Sequence, residues 1–317
     1  MELQDLLIVG AGLTGLSCAH SLSTSGKYLR IQIFEKSNGC GGRMATRRVG
    51  ESKFDHGAQF IKASKESSKL IDLWQESKVA CNFPSENFEA ICGQSGMTQL
   101  AKIIAAKLNI KYNSKVIRLE KRLPYWLVFL EQGEPLLAEK IILTCPLPQS
   151  VQILRQSHID FDQKLTGIRY HSSIVILAGF DSSLDSEMNY RENLNGDIFS
   201  ICSQKAKGLS VQADYTIVMQ HLWSANHFDK SDDEICWAIE KLLNKLFPKS
   251  GVLNLIVKKW RFASPEDTWE RLYENVANGL YLAGDAFGGP SLNGALRSSN
   301  HLSDHLKSAA DPFESEN

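Results

Sequence analysis

The chain has 317 residues, 43% of them hydrophobic and 22% charged, with a formal net charge of -1 at pH 7. That length buries a large core and allows two domains or one large one. The charge balance gives no electrostatic reason to expect nucleic acid or an anionic membrane as partner, and no run approaches the eighteen or so apolar residues of a membrane span.

Leu6 to Val9 form a short apolar run, the pattern of a strand buried on both faces of a parallel sheet. Its acidic neighbours Glu2 and Asp5 make the start read as a strand rather than a signal peptide, so the expected location is the cytoplasm. GAGLTG at 10–15 follows. Gly10 permits the tight turn, Gly12 lets backbone approach a pyrophosphate, and Gly15 clears space for a helix at about 13–22 whose amides face the phosphates. The run Ile31 to Phe34 ends at Glu35, placed to accept from the hydroxyls of an adenosine ribose and set against a 2'-phosphate. The competing reading is a structural strand-helix-strand turn without ligand.

GCGGRMATRR at 39–48 and DHGAQF at 55–60 occupy a loop. Helical spacing is expected over 64–80 and 97–108, and strands at 116–119, 126–130 and 140–143, closed by Pro146 and Pro148. Strands then alternate with polar loops at 173–179, 197–202 and 216–223, with a helix at 232–246. Gly279 to Ala283 restores the parallel-strand pattern, and Ser291 or Asn293 caps a helix starting near Gly294. A frayed polar tail is expected over 310–317. The seven cysteines, Cys18, Cys40, Cys81, Cys92, Cys145, Cys202 and Cys236, form no CxxC pair and read as reduced thiols rather than disulfides or a metal site.

Three segments far apart, GAGLTG, GCGGRMATRR and LYLAGDAFGGPSLNGALRSS at 280–299, can together hold one flavin dinucleotide. The expected fold is α/β, a Rossmann-type FAD-binding domain carrying an inserted substrate domain of mixed β-sheet plus helices. Its pieces are 1–62, 93–150 and 263–317, with the substrate domain at 63–92 and 151–262.

These motifs, with IILTCPLP at 141–148, resemble the flavin-dependent amine oxidoreductase superfamily, whose FAD domain is of the p-hydroxybenzoate hydroxylase and amine oxidase type. GGRMAT, HLWSANHF at 221–228 and KKWRFASPEDTW at 258–269 are similar to renalase-like proteins within it. The resemblance implies a cofactor site of Gly10, Ala11, Gly12, Thr14 and Gly15 on the pyrophosphate, and Glu35 and Lys36 at the adenosine. Gly42, Arg43 and Met44 would run along the diphosphate and ribityl side. Gln59 and Phe60 would sit beside the flavin ring, and Val116 would meet the adenine through its backbone. Gly284 and Asp285 would serve the ribityl chain, Asp285 accepting from a ribityl hydroxyl or helping to order phosphate-bound water, and Gly294 and Ala295 would serve the flavin pyrimidine. For Asp285 a helix cap or turn acid is the alternative.

The resemblance also implies a reaction: oxidation of misreduced dihydronicotinamide isomers of NAD(P)H by hydride transfer to flavin N5, with oxygen as final acceptor and hydrogen peroxide as product. Oxidation of small amines is the alternative enzyme, and a flavin-bound signalling protein without turnover the alternative of another class. The stretch 170–177 lacks the lysine that amine oxidases resembling this chain usually carry, which favours the dihydronicotinamide reaction; those with covalent flavin use a cysteine in the C-terminal third, and none follows Cys236, so FAD is expected to be non-covalent. His221, Trp223, Trp260 and Arg261 are candidates for a substrate pocket that stacks a planar ring and bonds its carboxamide; core packing is the competing reading for each.

Overall fold

The computed structural model describes residues 3–85, 88–184 and 188–309, so the tail expected over 310–317 lies outside the described residues. The chain splits into two compact units. One comprises Met1–Gly42, Ile104–Arg169 and Pro265–Asn317; the other comprises Arg43–Ile103 and Tyr170–Ser264.

The first unit is an α/β layer structure around an eight-stranded sheet. Its central strand β1, Leu3–Val9, pairs in parallel with Leu136–Leu143 on one side and with β2, Ile31–Phe34, on the other. Leu280–Leu282 and Ile110–Lys111 extend the parallel region at either end. Leu6, Leu7 and Ile8 have no exposed surface, as the uninterrupted apolar run requires of a strand covered on both faces. Helix α1, Leu13–Ser23, leads from β1 to β2. The C-terminal helix Leu292–Ser308 lies along α1: the Ser299 hydroxyl donates to that of Ser17 at 3.0 Å, and the Lys307 ammonium to that of Ser21 at 2.7 Å. The cap of that helix is Ser291 rather than Asn293, its hydroxyl accepting from the Gly294 amide at 3.0 Å.

The second unit holds a five-stranded sheet in the order Tyr190–Glu192, Ile198–Ser203, Ala213–Met219, Tyr170–Phe180, Val252–Pro265. Helix Asp232–Leu246 covers its core cluster through Ile235, Ile239 and Leu243, a stripe spaced by four. A capping box between Ser231 and Glu234 starts that helix, and three acids fill its first turn. A smaller sheet orders Ile61–Lys62, Ala90–Gly93 and Ala80–Asn82.

Three expectations differ from what is observed. The strand expected over 216–223 ends at Met219, and His221–His227 is a helix. Residues 43–62 and 93–103, expected in the nucleotide domain, pack in the second unit. Buried Asp55 explains this: its carboxylate accepts from the Met97 amide at 2.8 Å, the Thr46 hydroxyl at 2.5 Å and the Lys207 ammonium at 2.6 Å. Residues 151–169 belong to the first unit, where the Ser157 hydroxyl accepts from the Leu119 amide at 2.7 Å.

Candidate functional site

In the first unit the site is built from backbone. Gly10 turns at φ +107°, and its amide donates to the Phe34 carbonyl at 2.8 Å, tying the turn to the end of β2. A Cβ on Gly15 would fall 2.0 Å from the Gly10 carbonyl oxygen, so α1 closes onto the turn only because Gly15 has no side chain. Over Gly12 a Cβ would meet nothing within 4 Å. Gly12 caps α1 without any side-chain hydrogen bond, and no acid occupies the first turn, so among the described residues no side chain caps the leading amides of α1.

Glu35 is nearly buried, and its two carboxylate oxygens accept from the Ala11 amide at 2.9 Å and the Ser37 amide at 2.8 Å. A carboxylate has about four acceptor positions, so about two remain for hydroxyls. The Glu35 carbonyl accepts from the Ser114 amide at 2.9 Å, which brings the residues before Val116 to the same corner. Lys36 donates to Gln149 at 3.2 Å. The Gly41 amide donates to the Ala11 carbonyl at 2.8 Å, and Gly42 lies against the Gly12 backbone. The Thr14 hydroxyl donates to the Ala295 carbonyl at 3.4 Å, while the Gly284 amide donates to the Ser298 hydroxyl at 2.9 Å. Asp285 is buried at the head of a short helix, Asp285–Gly288. Sequence-distant positions 10–15, 35–36, 42, 114–116, 284–285 and 294–295 thus sit within one compact unit. An open cradle over Gly12, uncapped amides and a carboxylate with acceptor positions left fit the diphosphate and ribose of FAD.

In the second unit the remaining positions are held by side chains. Arg43 donates to the Ala263 carbonyl at 2.8 Å, and its own carbonyl accepts from the Ala58 amide at 2.9 Å. Met44 is fully buried. Gln59 donates to the carbonyls of Asp55 at 2.6 Å and Gly57 at 3.1 Å, and its side-chain oxygen accepts from Gln204 at 3.3 Å. Its amide is therefore engaged inside the unit. Phe60 packs among Phe83, Phe88 and Tyr190 at 4.5 to 5.3 Å between ring centroids.

His221, Trp223, Trp260 and Arg261 do not share one wall. His221 stacks on His171 at 4.1 Å, whereas Trp223, two residues along the same helix, stacks on His227 at 3.9 Å and packs on the core of the five-stranded sheet. Trp260 packs against a separate cluster of Phe54, Val175 and Leu177. Adjacent strand residues point to opposite faces, and Arg261 is exposed with its guanidinium over Phe228.

Two features had no assigned role in the sequence. Lys207 and Asp55 are an ion pair at 2.6 Å with fully buried side chains. Burial works against the Lys207 ammonium, but the Asp55 carboxylate, its hydrogen bond and the nearby Cys202 and Cys92 together hold the ammonium above its usual range. The other is His56, stacked on Trp260 at 5.5 Å with its carbonyl accepting from the Trp260 indole at 2.7 Å. Burial, then the positive charges of Lys258 and Arg47, push His56 down to about 4, so its ring is neutral at pH 7. Asp55 was visible within DHGAQF; nothing in the local sequence pairs it with residue 207.

Comparison with known proteins agrees with this architecture. The model of the NAD(P)-binding Rossmann-like domain matches residues 8–77, and that of the flavin containing amine oxidoreductases matches residues 63–305. Protein anon-37Cs of Drosophila melanogaster is 33% identical over 74 residues, which is 23% of this chain and 14% of that protein; its Drosophila simulans counterpart matches likewise over 15% of its length. A chain assigned as a protoporphyrinogen oxidase from Exiguobacterium sp. 255-15 shares the fold with a TM-score of 0.78 at 14% identity, covering 97% of this chain and 99% of that one. Putrescine oxidase bound to putrescine gives 0.73 at 13% identity, covering 97% and 100%. A fatty acid isomerase from P. acnes gives 0.70 at 11%, covering 96% and 98%. The chain belongs to the flavin containing amine oxidoreductase family.

Proposed function

We propose that this flavoenzyme oxidises misreduced dihydronicotinamide isomers of NAD(P)H back to NAD(P)+. The observation that carries the reading is the surroundings of His56. A neutral imidazole stacked on Trp260 offers a flat, uncharged partner to a planar ring, and Arg47 and Lys258 set a positive potential around it. That potential repels a cationic amine and attracts a substrate bearing phosphates. The Lys207 ammonium is fully buried and donates to Asp55 Oδ2, the Gln59 carbonyl and Gln59 Oε1, so its three hydrogens are engaged.

In this reading Gly10, Ala11, Gly12, Thr14, Gly15 and Gly42 hold the FAD diphosphate. Glu35, Lys36 and Val116 hold the adenosine, Gly284 and Asp285 the ribityl chain, and Gly294 and Ala295 the pyrimidine end. The flavin is non-covalent in this reading. When bound, FAD would supply the hydride acceptor and the redox chemistry by which oxygen yields hydrogen peroxide. The protein contributes orientation: the uncapped amides of α1 bind charge, and the aromatic pair positions the nicotinamide.

Amine oxidation is the second reading, favoured by the family match and the likeness to putrescine oxidase. Anaerobic titration of the yellow protein separates the two. Bleaching of the flavin band by dihydronicotinamide isomers, and by neither ordinary NADH nor putrescine, is the expected result. Bleaching by putrescine alone would assign the chain to amine oxidation.

A further inference from the structure

We propose that Cys81 and Cys92 are a redox modification site, a cross-strand dithiol that hydrogen peroxide converts into a disulfide. Ala80–Asn82 and Ala90–Gly93 pair antiparallel with Cys81 directly opposite Cys92. Directly opposite residues lie about 4.5 to 5.5 Å apart at Cα, inside the roughly 4.4 to 6.8 Å that a disulfide spans. The two Sγ atoms stand 3.4 Å apart as free thiols. Closing the bond shortens that separation by about 1.4 Å, within reach of side-chain rotation.

The pair is chemically asymmetric. Cys81 sits half-buried on the edge strand of its sheet, whereas Cys92 is fully buried on the middle strand. The Cys92 thiol stabilises a thiolate at Cys81 by hydrogen bonding, and the Lys207 ammonium adds to this against the cost of burial, so Cys81 titrates below its usual range. The Cys81 contact and burial push Cys92 up. Burial likewise raises Cys18 and Cys202 to about 12 and so quiets those thiols.

The reaction balances. The Cys81 thiolate attacks one peroxide oxygen, the O–O bond breaks, and Cys81 becomes a sulfenic acid as hydroxide leaves and takes the Cys92 proton to form water. The Cys92 sulfur then displaces the sulfenic hydroxyl. The S–S bond forms, the S–O bond breaks, and the second hydroxide takes up the proton that Cys81 released on ionising. Two thiols lose two hydrogens and two electrons, and one peroxide becomes two waters. The proposal rests on the function proposed above only for the cellular source of peroxide; the test supplies its own.

Residues 79–102 contain no internal lysine or arginine, so trypsin releases both cysteines in one peptide. The flavin-loaded protein is treated with hydrogen peroxide, quenched with catalase, denatured in iodoacetamide and digested. The expected peptide is two hydrogens lighter than the dithiol, carries no alkyl group, and regains two alkylation sites after dithiothreitol. Alkylation of both cysteines despite peroxide, or a sulfinic acid at Cys81 beside an alkylated Cys92, overturns the proposal. The same dose given to the chain in guanidinium is expected to close the bond at least about ten-fold more slowly, since the register no longer holds the sulfurs together; equal rates overturn it. In Cys92→Ser, a dimedone-trapped sulfenic acid at Cys81 is expected, and its absence at a dose that oxidises the parent overturns it.

Discussion

The two units build their sites from different materials. Around Gly10 to Gly15 the first unit uses turn geometry, uncapped amides and a single carboxylate, so a dinucleotide held as proposed would meet mostly main chain. The second unit joins Asp55, Gln59, Gln204, Lys207 and Thr216 through side chains, and sets His56 on Trp260. Main-chain sites tolerate few residue types at a few fixed positions; side-chain networks are assembled across a hundred residues or more of intervening chain.

Four substitutions sharpen that contrast. Lys207→Met leaves the Asp55 carboxylate buried without its cation and is expected to destabilise the fold by about 3–5 kcal/mol, the largest effect. Denaturant unfolding measures it, and a change within about 1 kcal/mol would show that the network is not what holds the second unit. Gly15→Ala forces a methyl group against the Gly10 carbonyl, with an expected cost of about 1–3 kcal/mol and a visible loss of bound flavin per chain by absorbance. Full flavin content in that variant would break the claim that the main chain forms the cradle.

His56→Gln tests the linkage between burial and charge. Because the folded-state pKa of His56 lies near 4, below the ordinary value of 6.5, the unfolded chain takes up a proton between pH 6.5 and 4 that the folded protein refuses. Stability falls as pH falls through that window, and the variant is expected to lose less of it, by on the order of 2 kcal/mol. Parallel pH profiles for variant and parent would place His56 in water. Ser231→Ala removes one half of a capping box, with an expected cost of about 1 kcal/mol and unchanged flavin content.

What the sequence disclosed follows the same divide. GAGLTG and the acid at 35 were legible because few residues satisfy a turn at φ +107° or a helix lying against a carbonyl. The helix over 232–246 was legible because a spacing of four and an acidic first turn are local. The strand expected through Trp223 ended early because apolar content does not distinguish a strand from a short helix begun at residue 221. His221, Trp223, Trp260 and Arg261 are spread over different surroundings because neighbours in sequence, such as Trp260 and Arg261, face opposite ways on a strand. Lys207 was illegible, since a lysine in a polar loop looks solvated until its carboxylate, 152 positions away, is in place.

The side-by-side, parallel packing of α1 and the helix Leu292–Ser308 has a consequence for biosynthesis. Thr14 bonds to Ala295, and Cys18 to Ser299, across 281 positions of chain. A ribosome adding about 5–20 residues per second needs roughly 15–60 s to deliver the second partner after the first. Through that interval the glycine turn exists without the helix that packs on it. The nascent chain therefore holds an unfinished receptacle, and capture of the flavin belongs to a late stage of maturation, after residue 308 has emerged.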